Sequence, residues 1–141
     1  MQIGLAGIGR MGVGIAARLV EVGHQVTAWN RSAEKLKPLA ALGIKTAATP
    51  AELASSSEVI ITILTDAAAI DKVYGGPQGL LAGNIKGKLF IEMSTVRPET
   101  PKALAEKVRA KGAAFVESPV GGSTGPARQG KLLGLVGAEP E

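Results

Sequence analysis

The segment Gln2-Ile3-Gly4-Leu5-Ala6 runs straight into Gly7-Ile8-Gly9-Arg10-Met11-Gly12, and a helical pattern follows as far as Val22. An apolar run, a turn with three glycines and a helix, in that order, leave few folds open. In a chain with 19 glycines the spacing alone says little. Placed between a strand and a helix, it is what a dinucleotide-binding turn requires. Gly7 permits the tight turn, Gly9 lets a pyrophosphate approach the backbone, and Gly12 lets the helix lie close on its strand. The helix N-terminus offers free N–H groups and a partial positive charge to the phosphates. An ordinary glycine-rich strand-to-helix turn is the competing reading.

The remaining chain repeats the strand–helix alternation. Met11, Ile15, Leu19 and Val22 recur at helical spacing, and Gly23 is a natural stop. Gln25 to Trp29 reads as a second strand, and a second helix is expected from Ala33 to Leu42, with Pro38 able to shorten or kink it. Gly43 to Thr46 gives a short strand. Thr49-Pro50-Ala51-Glu52 then has the residues of a helix start. The near-continuous apolar run Val59 to Leu64 looks like a central strand buried on both faces. Asp66 reads as a helix cap for Ala67 to Tyr74. Lys88 to Glu92 and Ala113 to Glu117 are further strands flanking a helix from Arg97 to Lys111, and Leu132 to Val136 is a last strand. This alternation predicts one α/β domain, a doubly wound parallel sheet of the Rossmann type, with strand order 3-2-1-4-5-6.

The residues after the second strand bear on the cofactor. An NAD-preferring fold places an Asp or Glu there to accept hydrogen bonds from the adenosine ribose. This chain has Asn30-Arg31-Ser32. A carboxylate repels a 2′-phosphate, whereas Arg31 offers it a forked set of charged donors and a plane that stacks on adenine. Asn30 and Ser32 add neutral donors, and Ser32 is also placed to cap the helix that follows. NADP is therefore favoured over NAD.

Composition narrows the partners. With 45% hydrophobic and 20% charged residues the chain reads as a globular protein, and its apolar runs are far too short to span a bilayer. An apolar run starting at Met1 leaves no room for a signal peptide ahead of it, so a cytoplasmic setting is expected. The absence of cysteine excludes disulfides, cysteine-ligated metal and thiol catalysis, and no metal site is expected. The net charge of +4 is spread along the chain and accompanied by only 3% aromatic residues. That pattern suits a small anionic ligand better than nucleic acid.

Four stretches, Gly7 to Gly12, Trp29-Asn30-Arg31-Ser32, Glu92-Met93-Ser94-Thr95 and Ser118-Pro119-Val120-Gly121-Gly122-Ser123, give the chain a further likeness. It resembles, over its whole length, the N-terminal domain of the β-hydroxyacid dehydrogenases. These include 3-hydroxyisobutyrate dehydrogenase, tartronate semialdehyde reductase and glyoxylate/succinic semialdehyde reductase. The resemblance implies cofactor contacts at Gly7, Ile8, Gly9, Arg10, Met11, Gly12, Asn30, Arg31, Ser32, Leu64, Thr65 and Thr95. It places Thr95 beside the nicotinamide end and implies substrate contacts at Ser94, Val120, Gly121, Gly122 and Ser123. Successive N–H groups in such a glycine-rich loop form an anion-binding concavity. Here the loop departs from the family's usual Asp-Ala-Pro-Val-Ser-Gly-Gly, its hydroxyl falling two residues later, and Pro126-Ala127 replaces the more usual Gly-Ala.

The resemblance also implies a second, helical domain that supplies a Lys as general acid/base, and residues 1–141 hold no match to it. Hydride transfer needs the cofactor, and the accompanying proton needs a positioned acid. His24, the one histidine, falls on the amino side of the sheet and is read as structural. The expectation is an NADP(H)-binding domain of an oxidoreductase that interconverts a small β-hydroxy acid and its semialdehyde or keto form, not catalytically competent on its own. The full-length enzyme is expected to be a homo-oligomer, and the isolated domain to expose apolar surface. A non-catalytic NADP-binding module or sensor is the alternative, and a methyltransferase binding an adenosine cofactor is disfavoured by Asn30-Arg31.

Overall fold

In a computed structural model that describes residues 2–7, 10–64, 67–93, 99–117, 120–121 and 133–134, the strands assemble in the expected order. β1 (Gln2–Ala6) lies between β2 (Gln25–Trp29) and β4 (Val59–Thr62). β3 (Lys45–Thr46) closes one edge, and β5 (Leu89–Glu92) and β6 (Ala114–Glu117) complete the other, giving the parallel order 3-2-1-4-5-6. The helices are α1 (Arg10–Glu21), α2 (Lys37–Ala40), α3 (Pro50–Ser55), α4 (Ala67–Gly75) and α5 (Glu99–Ala110).

Both faces of the sheet are buried, as parallel sheets require. Along β4, Ile60 belongs to one apolar cluster, with Tyr74, Phe90, Leu80 and Val108, and Ile61 to the other, with Leu5, Val26 and Leu39. Successive side chains of a strand point to opposite faces, which explains why the run reads as continuously apolar. Leu104 and Val108 of α5 are buried, as their spacing predicts. At the start of α3, Thr49 Oγ1 accepts from the Glu52 N–H at 3.1 Å, and Glu52 Oε2 accepts from the Ala48 N–H at 3.3 Å. The reciprocal pair expected from the sequence forms, one residue displaced on its return side.

The structure refines three expectations. The second helix splits into a 3-10 turn (Ala33–Leu36) and the single turn of α2, with Pro38 in the first turn of the latter. Proline cannot donate to a continuous ladder but is tolerated at a helix start. Val22 is not an inward residue: α1 ends at Glu21, and Val22 is 51% exposed in the turn before β2. Among the described residues it is the one large apolar side chain left exposed. Finally, of the last strand expected over Leu132 to Val136, the described residues are Leu133–Gly134, and they stand apart from the six-stranded sheet. β7 (Val120–Gly121) pairs antiparallel with β8 (Leu133–Gly134) in a separate ribbon. Among the described residues no helix is long and apolar enough to cross a membrane.

Candidate cofactor cleft

Between β1 and β4 the strand order reverses direction, and the exits of these strands open a crevice at the carboxyl edge. Gly7 forms its floor. Its φ of +97° suits glycine, its N–H donates to Trp29 O at 2.9 Å, and a Cβ there would lie 2.0 Å from Ile63 O. Only glycine lets β1, β2 and β4 converge so closely at this turn. α1 begins at Arg10 and carries no acidic residue in its first turn, so its positive end is not neutralised by its own side chains. Gly12, buried in α1, also reaches the crevice.

The crevice has a volume of about 840 Å³, within the range of small-molecule sites. Trp29, Asn30, Arg31 and Ser32 form its wall on the β2 side, and Ile63, Leu64 and Ala69 lie opposite. Asn30 Nδ2 donates to Ser32 O at 3.0 Å, which pins the turn that presents Arg31. Ser32 precedes the 3-10 turn but its hydroxyl makes no capping bond. The capping role expected of it is absent because Lys35 N–H bonds instead to the Ser32 carbonyl, at 3.2 Å. The hydroxyl of Ser32 is thus not committed to the helix.

Two cations that the sequence reading did not single out line the same cleft: Lys35 from the 3-10 turn and Lys72 from α4. With Arg31 they make a positively charged mouth, and all three are exposed. Among the described residues no hydrogen bond or ion pair is found for these three side chains. Lys35 stands only four residues after Arg31 in the sequence, a nearness that could have flagged it. Lys72 reads in the sequence as an ordinary solvated helix residue. The loop Gly76 to Gly79 closes the α4 side, held by Ala51 N–H donating to Gln78 O at 2.9 Å and Leu80 N–H to Val73 O at 2.8 Å.

Of the predicted cofactor residues, Gly7, Gly12, Asn30, Arg31, Ser32 and Leu64 therefore come together around one cleft. The backbone of Arg10 and Met11 lies in the first turn of α1. Ile8, Gly9, Thr65 and Thr95 lie outside the described residues, as do Ser94, Gly122 and Ser123 of the predicted substrate set and Asp66. Val120 and Gly121 form β7. His24 sits beyond the C-terminus of α1, its N–H bonded to Leu19 O at 3.0 Å, before β2 begins and so at the amino edge.

The cleft's features fit a dinucleotide: a backbone cradle that a Cβ would fill, a helix N-terminus free of acids, and cations at the end of β2. Comparisons with known proteins agree. The chain is 39% identical over 132 residues to the zebrafish (Danio rerio) cytokine-like nuclear factor N-PAC, a match covering 94% of this chain and 29% of that protein. The solved structure of Psf3 in complex with NADP+ and 2-OPP superposes with a TM-score of 0.91 at 31% identity, covering 98% of this chain and 49% of Psf3. Mycobacterium tuberculosis 3-hydroxyisobutyrate dehydrogenase, solved with L-serine, gives a TM-score of 0.90 at 25% identity, covering 98% of this chain and 46% of that enzyme. The chain thus spans under a third of the N-PAC relative and about half of these solved neighbours. Residues 2–141 match the family model of the NAD binding domain of 6-phosphogluconate dehydrogenase. The chain belongs to that family, a nicotinamide-dinucleotide-binding domain of dehydrogenase-like proteins.

Proposed function

We propose that residues 1–141 form the NADP(H)-binding domain of an oxidoreductase that interconverts a small β-hydroxy acid and its semialdehyde or keto form. The observation that carries the cofactor choice is Arg31 at the exit of β2, with Ser32 and Lys35 beside it on the wall of the cleft. A ribose 2′-phosphate would meet charge-assisted donors there, where NAD would need a carboxylate. Gly7 to Gly12 would cradle the pyrophosphate, and Leu64, Thr65 and Thr95 would follow the cofactor toward its nicotinamide end. Ser94 and the segment Val120 to Ser123 would hold the substrate carboxylate. The cofactor, when bound, supplies the hydride. The proton would come from the Lys of the helical domain that the family resemblance implies outside this chain.

Trp29, the one tryptophan, lines the cleft and reports binding directly. Titration of its fluorescence is expected to show tighter binding of NADPH than of NADH. Equal affinity would overturn the choice of NADP.

A second reading is a dinucleotide-binding module without turnover, and it is favoured by one observation. The N-PAC relative is named a nuclear factor, not an enzyme. That name also sets a nuclear location against the cytoplasmic one expected from the sequence. Turnover of a short hydroxy acid with NADP+ by the whole protein would exclude the non-catalytic reading.

A further inference from the structure

Behind the cleft, three polar side chains are sealed inside the core. Thr62, the last residue of β4, has no exposed surface, and Glu92, the last residue of β5, and Tyr74, in the final turn of α4, are each 1% exposed. Thr62 and Glu92 are register partners on adjacent strands. Thr62 Oγ1 donates to Glu92 Oε2 at 2.5 Å, and Tyr74 OH lies 2.9 Å from Thr62 Oγ1 and 3.2 Å from Glu92 Oε2. A threonine hydroxyl has one hydrogen to give. Since that hydrogen goes to Glu92, the single hydrogen of the Tyr74 hydroxyl is shared between Glu92 Oε2 and Thr62 Oγ1.

Burying such a cluster is unfavourable unless every member is bonded, and apolar side chains of similar shape would fill the space without that requirement. The cluster's position suggests what it does. Thr62 is followed by Ile63 and Leu64, and Tyr74 is preceded by Lys72 and Val73, all four on the cleft wall. Glu92 leads into Met93, whose N–H donates to Thr62 O at 2.8 Å. Three elements that are separate in sequence are thus fastened at one point directly behind the wall. The Tyr74 ring stays packed through Phe90, with centroids 6.1 Å apart, so its hydroxyl adds direction to a contact the ring already makes.

We propose that Thr62, Glu92 and Tyr74 are positioning residues that lock α4 to the ends of β4 and β5 and so set the width of the cofactor cleft. The identity of the ligand rests on the dinucleotide reading above; the lock itself does not. Tyr74→Phe and Thr62→Val each remove one hydroxyl while keeping most of the shape, and Thr62→Ser keeps the hydroxyl. Two measurements decide the matter in the whole protein: amide hydrogen exchange of α4 relative to α1, and NADPH and NADH affinity from Trp29 fluorescence. Tyr74→Phe and Thr62→Val are expected to speed exchange in α4 roughly tenfold while sparing α1, the effect of losing about one buried hydrogen bond. They are expected to weaken NADPH and NADH by the same factor, roughly five- to tenfold, because Arg31 is untouched. Thr62→Ser is expected to restore both readouts.

Exchange that rises equally in α1 and α4, with unchanged affinity in the folded protein, would reduce the cluster to general core stability and overturn the proposal. Failure of the unaltered protein to bind either dinucleotide would overturn the ligand reading alone, and the exchange comparison would still decide the lock.

Discussion

At the carboxyl edge of the sheet, Arg31, Lys35 and Lys72 face a cleft with no hydrogen-bond or ion-pair partner found for them among the described residues. At the amino edge a shallower hollow of about 340 Å³ is lined by Ser55, Ser56, Ser57, Lys86 and Lys88, also rich in hydroxyls and cations. There the three hydroxyls and Lys88 are already engaged, and Lys86 is the exception, with no side-chain partner found among the described residues. Ser55 Oγ donates to Ala51 O at 3.0 Å, Ser57 Oγ to Leu53 O at 2.8 Å, and Lys88 Nζ to Ala54 O, where the C-terminal carbonyls of α3 gather negative charge. Composition does not separate the two ends; the greater commitment of the amino-edge groups does. A cation bonded to its own helix carries structure, and a cation left facing a cleft is available to a ligand.

The glycines give the sharpest way to break this comparison. Gly7 and Gly23 share nearly the same positive φ, +97° and +99°, at opposite edges. A Cβ on Gly7 would strike Ile63 O, whereas one on Gly23 meets nothing within 4 Å. Gly7→Ala is expected to lose more than about 3 kcal/mol in urea denaturation, from strain and clash together. Gly23→Ala should lose only about 1 kcal/mol, from strain alone. Similar losses would mean that the convergence of strands at Gly7 is looser than described.

Next in size is Arg31→Asp. It is expected to raise the Kd for NADPH roughly 10- to 100-fold, the loss of a charge-assisted contact, and to change NADH far less. Equal losses for both cofactors in a fluorescence titration would argue against a 2′-phosphate at Arg31.

Tyr74 offers a pH test. Burial, followed by the charge of Glu92, pushes its phenol well above the ordinary value of 10.0. The folded state then keeps a proton that the unfolded state releases, so this contribution is complete below about pH 10 and is lost as pH rises further. The expected slope is about 1.4 kcal/mol of stability per pH unit above that point, absent in Tyr74→Phe. Lys88 at the amino edge, lowered by burial from 10.5, has the opposite sign, because its unfolded state holds more protons just below that value. Its partial exposure makes it the weaker influence. As Tyr74 is the one tyrosine, phenolate absorbance should rise only with unfolding; a reversible rise near pH 10 in the folded protein would contradict the described burial.

The smallest effect is expected from Lys88→Met, a loss of about 0.5 kcal/mol from the end of α3 with NADPH affinity unchanged. A change in affinity would mean that the amino edge is not independent of the cleft.

Much of the fold was legible in the sequence because apolar runs bounded by glycine, proline and polar residues mark buried parallel strands. Pro38 already foretold an interrupted second helix. Val22 continued the helical spacing of α1, yet the helix ended one residue earlier, and spacing cannot locate a stop. The ribbon of β7 and β8 was hidden because two-residue strands leave no periodic signal. In the site, Gly7 and Arg31 were readable through local motifs. Lys72 was not, since only the packing of α4 brings it to the cleft. The Thr62–Glu92–Tyr74 cluster left no such signal: Thr62 interrupts an apolar run that resumes at Ile63, and only the register of β4 with β5 sets it beside Glu92.

The placement of β1 has a practical meaning for anyone handling the protein. The first five described residues form an interior strand, paired on both sides with β2 and β4. Trimming them would remove two ladders at once and split the sheet through its middle. The strand runs from Gln2 at the amino edge to Ala6 beside the cleft. A substitution at Gln2 would therefore act at the edge opposite the cleft and leave the cleft's lining untouched.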